Sequence, residues 1–474
     1  AGRGPLRRAI RSRWDLPAGV APPQFPAMPP PPPPHVITRR SVASWVIYDL
    51  ANTIFTMGIV SLYFSLWVRD SVGAERADSV YGTITAVSMG IIFVLSPLLG
   101  AMSDRASRRM PFLIVSTVLC VSFTMLLGRI GTTGTIIAFI VANAAYQAGL
   151  QFYDAMLADV STEANRGRIS GIGVGVGYLG SYIAVGLGLT LGTEDKTRLF
   201  LYIALAFLVL SLPCFLFVRE RGNPNPRPIF RLRDLITSVT DTVATLRDGT
   251  KYPGLGRFLF GRIFYTDAIN TVIAIMSLYT VNVAIAHGES KVQGEKTAQL
   301  VMMGAITFAV LGGFTWGWLV DRFGPKRTLN AVLALWVVVF SLAAMMGLSS
   351  LPLWVLYVVA AGAGVALGGI WAADRPLMLR LTPPDRIGEF YGLYNMVGRF
   401  SAVIGPSIWA ITAQLTIGRN MAPERGQGIG VLVLLGMIII SWFILRRVDD
   451  TPRDWVAMGE DRHAAPTATL ASGV

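Results

Sequence analysis

Gly100-Ala101-Met102-Ser103-Asp104-Arg105-Ala106-Ser107-Arg108-Arg109 returns, 217 residues downstream, as Gly317-Trp318-Leu319-Val320-Asp321-Arg322-Phe323-Gly324-Pro325-Lys326-Arg327. Three other pairs of landmarks share that offset within four residues and keep the same order. Asp49 and Asp267 lie 218 apart, each followed by Asn and then Thr, as Asn52-Thr53 and Asn270-Thr271. Asp154 and Asp374 lie 220 apart. Gly171, after Arg166-Gly167-Arg168, matches Gly392, after Arg386-Ile387-Gly388, at 221. Apolar segments resemble one another by chance, but chance does not hold polar landmarks in register. The chain reads as two parallel repeats.

The repeated units are membrane-embedded by composition. The 474 residues are 53% hydrophobic and 15% charged, where soluble domains carry about 25% charge, and mean hydropathy is +0.54. Twelve apolar runs follow Arg39-Arg40, most near the ~20 residues that a spanning helix needs. They are Val42–Val68, Ser79–Met102, Pro111–Arg129, Thr135–Ala158, Ile169–Leu191, Arg198–Val218, Phe258–Ala286, Thr297–Val320, Thr328–Leu348, Pro352–Ala373, Glu389–Leu415 and Gly428–Arg446. The expected fold is therefore an all-α polytopic membrane protein, with twelve transmembrane helices in two parallel six-helix pseudo-repeats and a binding position between them near the bilayer midplane.

The expected organisation has five parts: an Arg/Pro-rich disordered tail over 1–40, a six-helix bundle over 41–218, a linker over 219–257, a second bundle over 258–447 and a disordered tail from 448 to 474. Six consecutive prolines, Pro29–Pro34, keep the first tail out of any core. That tail does not open on Met. Met28 is a candidate start, and an Arg-rich targeting segment is the other reading. In the linker Leu232, Leu235, Ile236, Val239, Val243 and Leu246 recur at helical spacing opposite Arg233, Thr240 and Asp241. This predicts an amphipathic helix, lying in the membrane interface or docked as a linker.

The net charge of +13 borders apolar runs, which points to lipid headgroups and topology rather than nucleic acid. Most of the excess of Lys and Arg on one side comes from the tails and linker, while the short loops are nearly balanced. That places both termini on the cytoplasmic side, with the plasma membrane as the expected location of this multi-pass protein. Cys120 and Cys214 sit inside apolar runs, so no disulfide framework is expected. His35, His287 and His463 are scattered, and no metal site or cofactor is expected.

Charges at bilayer depth cost at least ~2.5–3.5 kcal/mol each, so they read as functional. Asp49 and Asn52 share a face of helix 1, and Asp267 and Asn270 share one of helix 7. These carboxylates suit a coupling proton (or sodium) or a substrate ammonium; the alternative is an ion pair with Arg262, Arg375 or Arg399. Four acids against three arginines leave at least one acid without its own partner. Helix 4 carries Asn143, Gln147, Gln151 and Asp154 on one stripe, read as facing a cavity, with a polar interhelix seam as the alternative. Tyr48, Asp374 and Arg375 complete the expected pathway. The glycines of run five (Gly171, Gly173, Gly175, Gly177, Gly180) predict close packing; no strand surrounds them to make a nucleotide loop.

The Gly-x-x-x-Asp-Arg-x-Gly/Ser-x-Arg/Lys loop, present twice, resembles the signature of the major facilitator superfamily, with Ser107 where the family usually has Gly. Trp45-Val46-Ile47-Tyr48-Asp49-Leu50-Ala51-Asn52-Thr53, Phe152-Tyr153-Asp154-Ala155-Met156-Leu157-Ala158-Asp159 and Pro383-Pro384-Asp385-Arg386-Ile387-Gly388-Glu389-Phe390-Tyr391-Gly392 resemble its vacuole-effluxer-like branch. Asp154 stands where the branch more often has Asn, and Trp371 and Asp374 replace a Gln and a Ser. The resemblance implies a secondary transporter that exports a small amino-acid-like solute. It also implies that Gly100, Asp104, Arg105, Arg108, Arg109, Gly317, Asp321, Arg322, Gly324, Lys326 and Arg327 hold a cytoplasmic gate.

Proton coupling and a monomeric state complete the expectation. No nucleophile–base pairing or nucleotide loop suggests an enzyme. The rival functions are a cation-coupled sugar symporter, a drug exporter and a non-transporting receptor or scaffold.

Overall fold

Backbone groups in hydrocarbon have no water to bond, so apolar runs of this length close their hydrogen bonds within helices. The computed structural model describes residues 36–192, 194–223, 226–228, 237, 240, 252–349, 351–399 and 422–455, and nearly all of them are helical. In chain order the elements are α1 (Arg39–Phe55), a π-helical stretch Thr56–Tyr63, α2 (Phe64–Val72), α3 (Ala74–Arg105), α4 (Met110–Leu126), α5 (Gly131–Ala155), α6 (Leu157–Val160), α7 (Arg166–Leu191) and α8 (Lys196–Phe217). After the linker come α9 (Leu255–Ala286), α10 (Lys291–Phe323), α11 (Pro325–Leu348), α12 (Val355–Leu381), α13 (residues 387–399) and α14 (Pro423–Arg446).

Among the described residues ten helical segments are long and apolar enough to cross a membrane, and α4 is a shorter apolar one. The eleventh expected run continues past α13, outside the described residues. The linker positions 232–246 also lie outside them, apart from 237 and 240, as do most of both tails.

Two runs end differently from expectation. The first is one continuous helix, Arg39–Val72, that widens to π geometry at Thr56. There the Thr56 hydroxyl donates to the Asn52 carbonyl at 3.0 Å and lies 2.7 Å from the Tyr146 hydroxyl. The tenth continues eight residues beyond Ala373, through Pro376 to Leu381. Asp374 and Arg375 are therefore helical residues within α12.

Glycine decides how the repeats meet. A Cβ on Gly171 of α7 would stand 2.3 Å from the Gly313 carbonyl oxygen and 2.6 Å from the Gly317 Cα of α10. A Cβ on Gly100 of α3 would stand 2.3 Å from the Gly388 carbonyl oxygen, and one on Gly392 of α13 would lie 2.7 Å from the Ser96 carbonyl oxygen. Gly100 and Gly317 are repeat mates, and so are Gly171 and Gly392. The two close crossings, α3 with α13 and α7 with α10, are thus the same contact made twice with the halves exchanged. Small residues allow such approach, where packing rather than hydrophobic exclusion drives association.

The other face of α7 is also glycine. A Cβ on Gly173 would meet the Trp45 ring at 2.8 Å, and one on Gly180 the Leu50 carbonyl oxygen at 2.6 Å. This brings α1, with Asp49, against α7. Lipid-facing surfaces elsewhere carry exposed Val94, Leu189, Leu216 and Phe260, as expected where the solvent is hydrocarbon.

Candidate functional site

Helices α1, α5, α7, α9, α12 and α13 enclose a cavity of about 300 Å³ between the repeats. Asp49, Asn52, Gln147, Asp154, Arg262, Asn270 and Arg375 line it, as does Arg399. Each of the two repeats contributes to the wall. The gate-side floor is a charge cluster. Arg375 of α12 places Nη1 3.2 Å from Asp49 Oδ2 and Nε 2.9 Å from Asp154 Oδ1. One second-half guanidinium therefore holds two first-half carboxylates, and all three groups are buried.

Beside it Arg262 Nε lies 3.2 Å from Asp374 Oδ2, which also accepts from the Tyr394 hydroxyl at 2.9 Å. The Arg262 guanidinium stacks 3.6 Å above the Tyr394 ring and donates to the Tyr394 carbonyl at 3.2 Å. Unlike the floor cluster, this pair lies wholly within the second repeat.

Arg399 is different. Among the described residues it has no carboxylate within ion-pair distance, and it faces the cavity near Tyr146. It lies five residues beyond Tyr394 on α13, or about 7.5 Å farther from the gate side. As the excess of acids over arginines requires, one guanidinium is shared: Arg375 holds both Asp49 and Asp154 while Arg262 holds Asp374.

Five expected pathway residues stand outside the lining, one of them Asp374, which lies behind Arg262 as its ion-pair partner. Gln151 belongs to the seam. It accepts from the Ser96 hydroxyl at 2.5 Å and donates to the Ser96 carbonyl at 3.0 Å, and that hydroxyl oxygen lies 3.0 Å from the Gly392 carbonyl. Asn143 is fully buried away from the cavity, so the α5 stripe divides, with Gln147 and Asp154 inside it and Asn143 and Gln151 in the packing. Tyr48 bonds the Thr117 hydroxyl at 2.7 Å and stacks on Tyr153, whose ring lies 5.6 Å from the Arg375 guanidinium. It buttresses the floor from behind. Asp267 is completely buried, and of the Asp267 and Asn270 pair Asn270 is the one that reaches the cavity.

Thr56, Tyr178, Trp371 and Asn395 also line the cavity. Trp371 is the departure from the family pattern that the sequence places in the pathway; Thr56, Tyr178 and Asn395 are not singled out by it. Thr56 and Tyr178 are at home in apolar runs and carry no signal of their own, whereas the amide of Asn395 in the eleventh run is a signal of the same kind as Asn52 and Gln147. Arg399 did carry one, a charge at membrane depth, but read as an ion-pair partner.

The two motif loops latch the gate side. Asp104 accepts from the Gly388 N–H at 2.8 Å and the Glu389 N–H at 2.7 Å, at the start of α13, and from Arg109 at 2.9 Å. Its mate Asp321 accepts from the Gly167 N–H at 2.7 Å, at the start of α7. Carboxylates at helix N-termini are favoured by the exposed N–H groups and the helix dipole. Gly324 caps α10 with a φ of +87°, the left-handed region that glycine tolerates. Arg322 stacks over Trp318, and Lys326 lies 3.9 Å from Asp450. The Arg105 carbonyl accepts from the Arg227 N–H at 2.9 Å. For Arg108 and Arg327 no charged partner is seen among the described residues.

The family model described as vacuole effluxer Atg22 like matches residues 68–450. The uncharacterized MFS-type transporter YxiO of Bacillus subtilis (strain 168) is 26% identical over 417 residues, covering 84% of this chain and 94% of its own. Autophagy-related protein 22 of Coccidioides immitis (strain RS) is 29% identical over 175 residues, which are 34% of this chain and 28% of its own. The crystal structure of the human organic anion transporter MFSD10 (TETRAN) superposes with a TM-score of 0.64 at 17% identity, over 86% of this chain and 99% of that one. At that identity the likeness is one of fold. A family match across nearly the whole membrane-embedded chain, on two repeats enclosing one central cavity, makes this protein a multi-pass MFS-type membrane transporter that belongs to the vacuole effluxer Atg22-like family.

Proposed function

We propose that the protein exports a small amino-acid-like solute by alternating access, coupled to protons. The observation that carries this reading is the polarity of the cavity. At its floor Asp49 and Asp154 share one guanidinium, leaving that end with an excess negative charge. Farther up, Arg399 has no carboxylate partner among the described residues. A zwitterion with an ammonium and a carboxylate complements both ends. Arg recognises a carboxylate through two parallel N–H bonds, which a sugar hydroxyl cannot match. The rocking parts are the bundles 41–218 and 258–447, joined by the linker, in a monomer. Both termini are on the cytoplasmic side of a plasma membrane.

Purified protein in proteoliposomes tests this with a panel of amino acids, small peptides and sugars. Amino acids are expected to move and sugars are not. Arg399→Gln should raise the apparent KM for amino acids at least tenfold, in line with the ~1.5–3 kcal/mol of a hydrogen bond to a charged group, and Arg399→Lys should recover part of it. Sugar uptake with no amino-acid uptake would favour the sugar-symporter reading. No movement of any solute under any gradient would favour a receptor or scaffold.

A further inference from the structure

The repeat is symmetric in its acids and asymmetric in its bases. Asp49 and Asp154 of the first half have Asp267 and Asp374 as mates, but the offsets carry Arg262, Arg375 and Arg399 onto Ser44, Ala155 and Tyr178. Every arginine of the cavity therefore belongs to the second half. Among the described residues the two first-half acids have one ion-pair partner, Arg375, borrowed from the other bundle. Around them stand Tyr146 and Tyr153 on α5, Tyr178 on α7, Arg262 on α9, Asp374 on α12, and Tyr391, Tyr394 and Arg399 on α13. Arg262 is already occupied by Asp374.

Building on the transport reading above, we infer that Asp49 and Asp154 form the proton-binding pair of the cycle, with Arg375 as a counter-ion that leaves when the halves rock apart. Two carboxylates and one guanidinium already bury a formal excess of one negative charge. Opening on the gate side withdraws Arg375 with the second bundle and leaves two carboxylates facing one another. Like charges so placed do not both stay ionised, and uncompensated charge in a low-dielectric interior is strongly disfavoured.

That bundle motion proceeds only when a proton or the ammonium of the solute replaces Arg375. While Asp104 and Asp321 latch the gate side, the returning guanidinium displaces the ammonium toward the far side. A proton entering from the far side then reaches one carboxylate oxygen, and it leaves from that oxygen on the gate side once solute binds. The result is exchange of one proton for one solute.

Two measurements test this inference. In proteoliposomes containing a pH-sensitive dye, a wild-type ratio of one proton moved inward per solute moved outward is expected. Asp49→Asn and Asp154→Asn should each cut proton movement at least tenfold. Arg375→Lys should keep the ratio, whereas Arg375→Gln should lose it. Solute movement without proton movement in the wild type would overturn the inference while leaving the transport reading intact.

The second measurement needs no solute. Infrared difference spectra of the purified protein across a pH step should show the C=O stretch of a protonated carboxyl that disappears in both Asp49→Asn and Asp154→Asn. Absence of that band in the wild type, or its survival in both variants, would also overturn the inference. A sample that transports nothing yet shows the band, and loses it in both variants, would sink the transport reading and keep the proton pair.

Discussion

Arg262 and Asp374 show how much a single buried residue decides. Both are almost inaccessible, and Asp374 is held by Arg262 and the Tyr394 hydroxyl together. Deleting one member of a buried pair leaves an uncompensated charge, at about 3–5 kcal/mol, whereas deleting both costs less. Asp374→Asn should therefore lower the thermal unfolding midpoint in detergent clearly, and adding Arg262→Gln should recover part of the loss. A double variant no better than the single one would show that the two do not act as a pair. Asp374 was legible in the sequence as a charge inside an apolar run. Its partner was not, because Arg262 lies 112 residues away on another helix.

At the scale of elements, α7 is the helix on which the fold turns. Gly167, Gly171 and Gly175 face α10, while Gly173, Gly177 and Gly180 face α1. Ordinary side chains on either face would push a neighbour away. Gly171→Ala puts a methyl group 2.3 Å from a backbone oxygen that cannot rotate aside, and overpacking of this kind costs about 1–3 kcal/mol. The expected outcome is reduced thermal stability and weaker cross-linking between α7 and α10. Gly186→Ala is the control, since no atom lies within 4 Å of its added Cβ. Equal effects of the two substitutions would mean that backbone flexibility, not close approach, explains the glycines. The close packing was readable in advance from the glycine spacing, but which neighbour each glycine admits was not.

For the whole molecule the question is which conformation the latches favour. Asp104 accepts two backbone N–H groups from the second half, and Asp321 accepts one from the first. Bonds to a charged acceptor contribute about 1.5–3 kcal/mol each, enough to shift a two-state population roughly tenfold or more. Asp104→Asn should move paired spin labels on the gate-side loops of the two halves apart in a large fraction of molecules, and Asp321→Asn in a smaller one. Unchanged distance distributions in both variants would show that the latches do not set the equilibrium. In the proposed cycle the gate is linked to the floor, because separating the latches would carry Arg375 away from Asp49 and Asp154.

The sequence by itself determined the membrane class, the helical runs, the double repeat and the identity of the charges at depth. These are local properties. Run length, composition and residue offset are fixed by neighbours along the chain, and a polar landmark stands out against apolar surroundings without any knowledge of the fold. Only the tertiary structure decided who meets whom. It gave Arg375 two acids and left Arg399 facing the cavity. It also turned Gln151, Asn143, Tyr48 and Asp267 into packing. The physical reason is that pairing at depth depends on helix rotation and separation, which the glycine contacts between α1, α7 and α10 impose. A carboxylate and a guanidinium 326 residues apart become partners through that packing, which neither helix specifies alone.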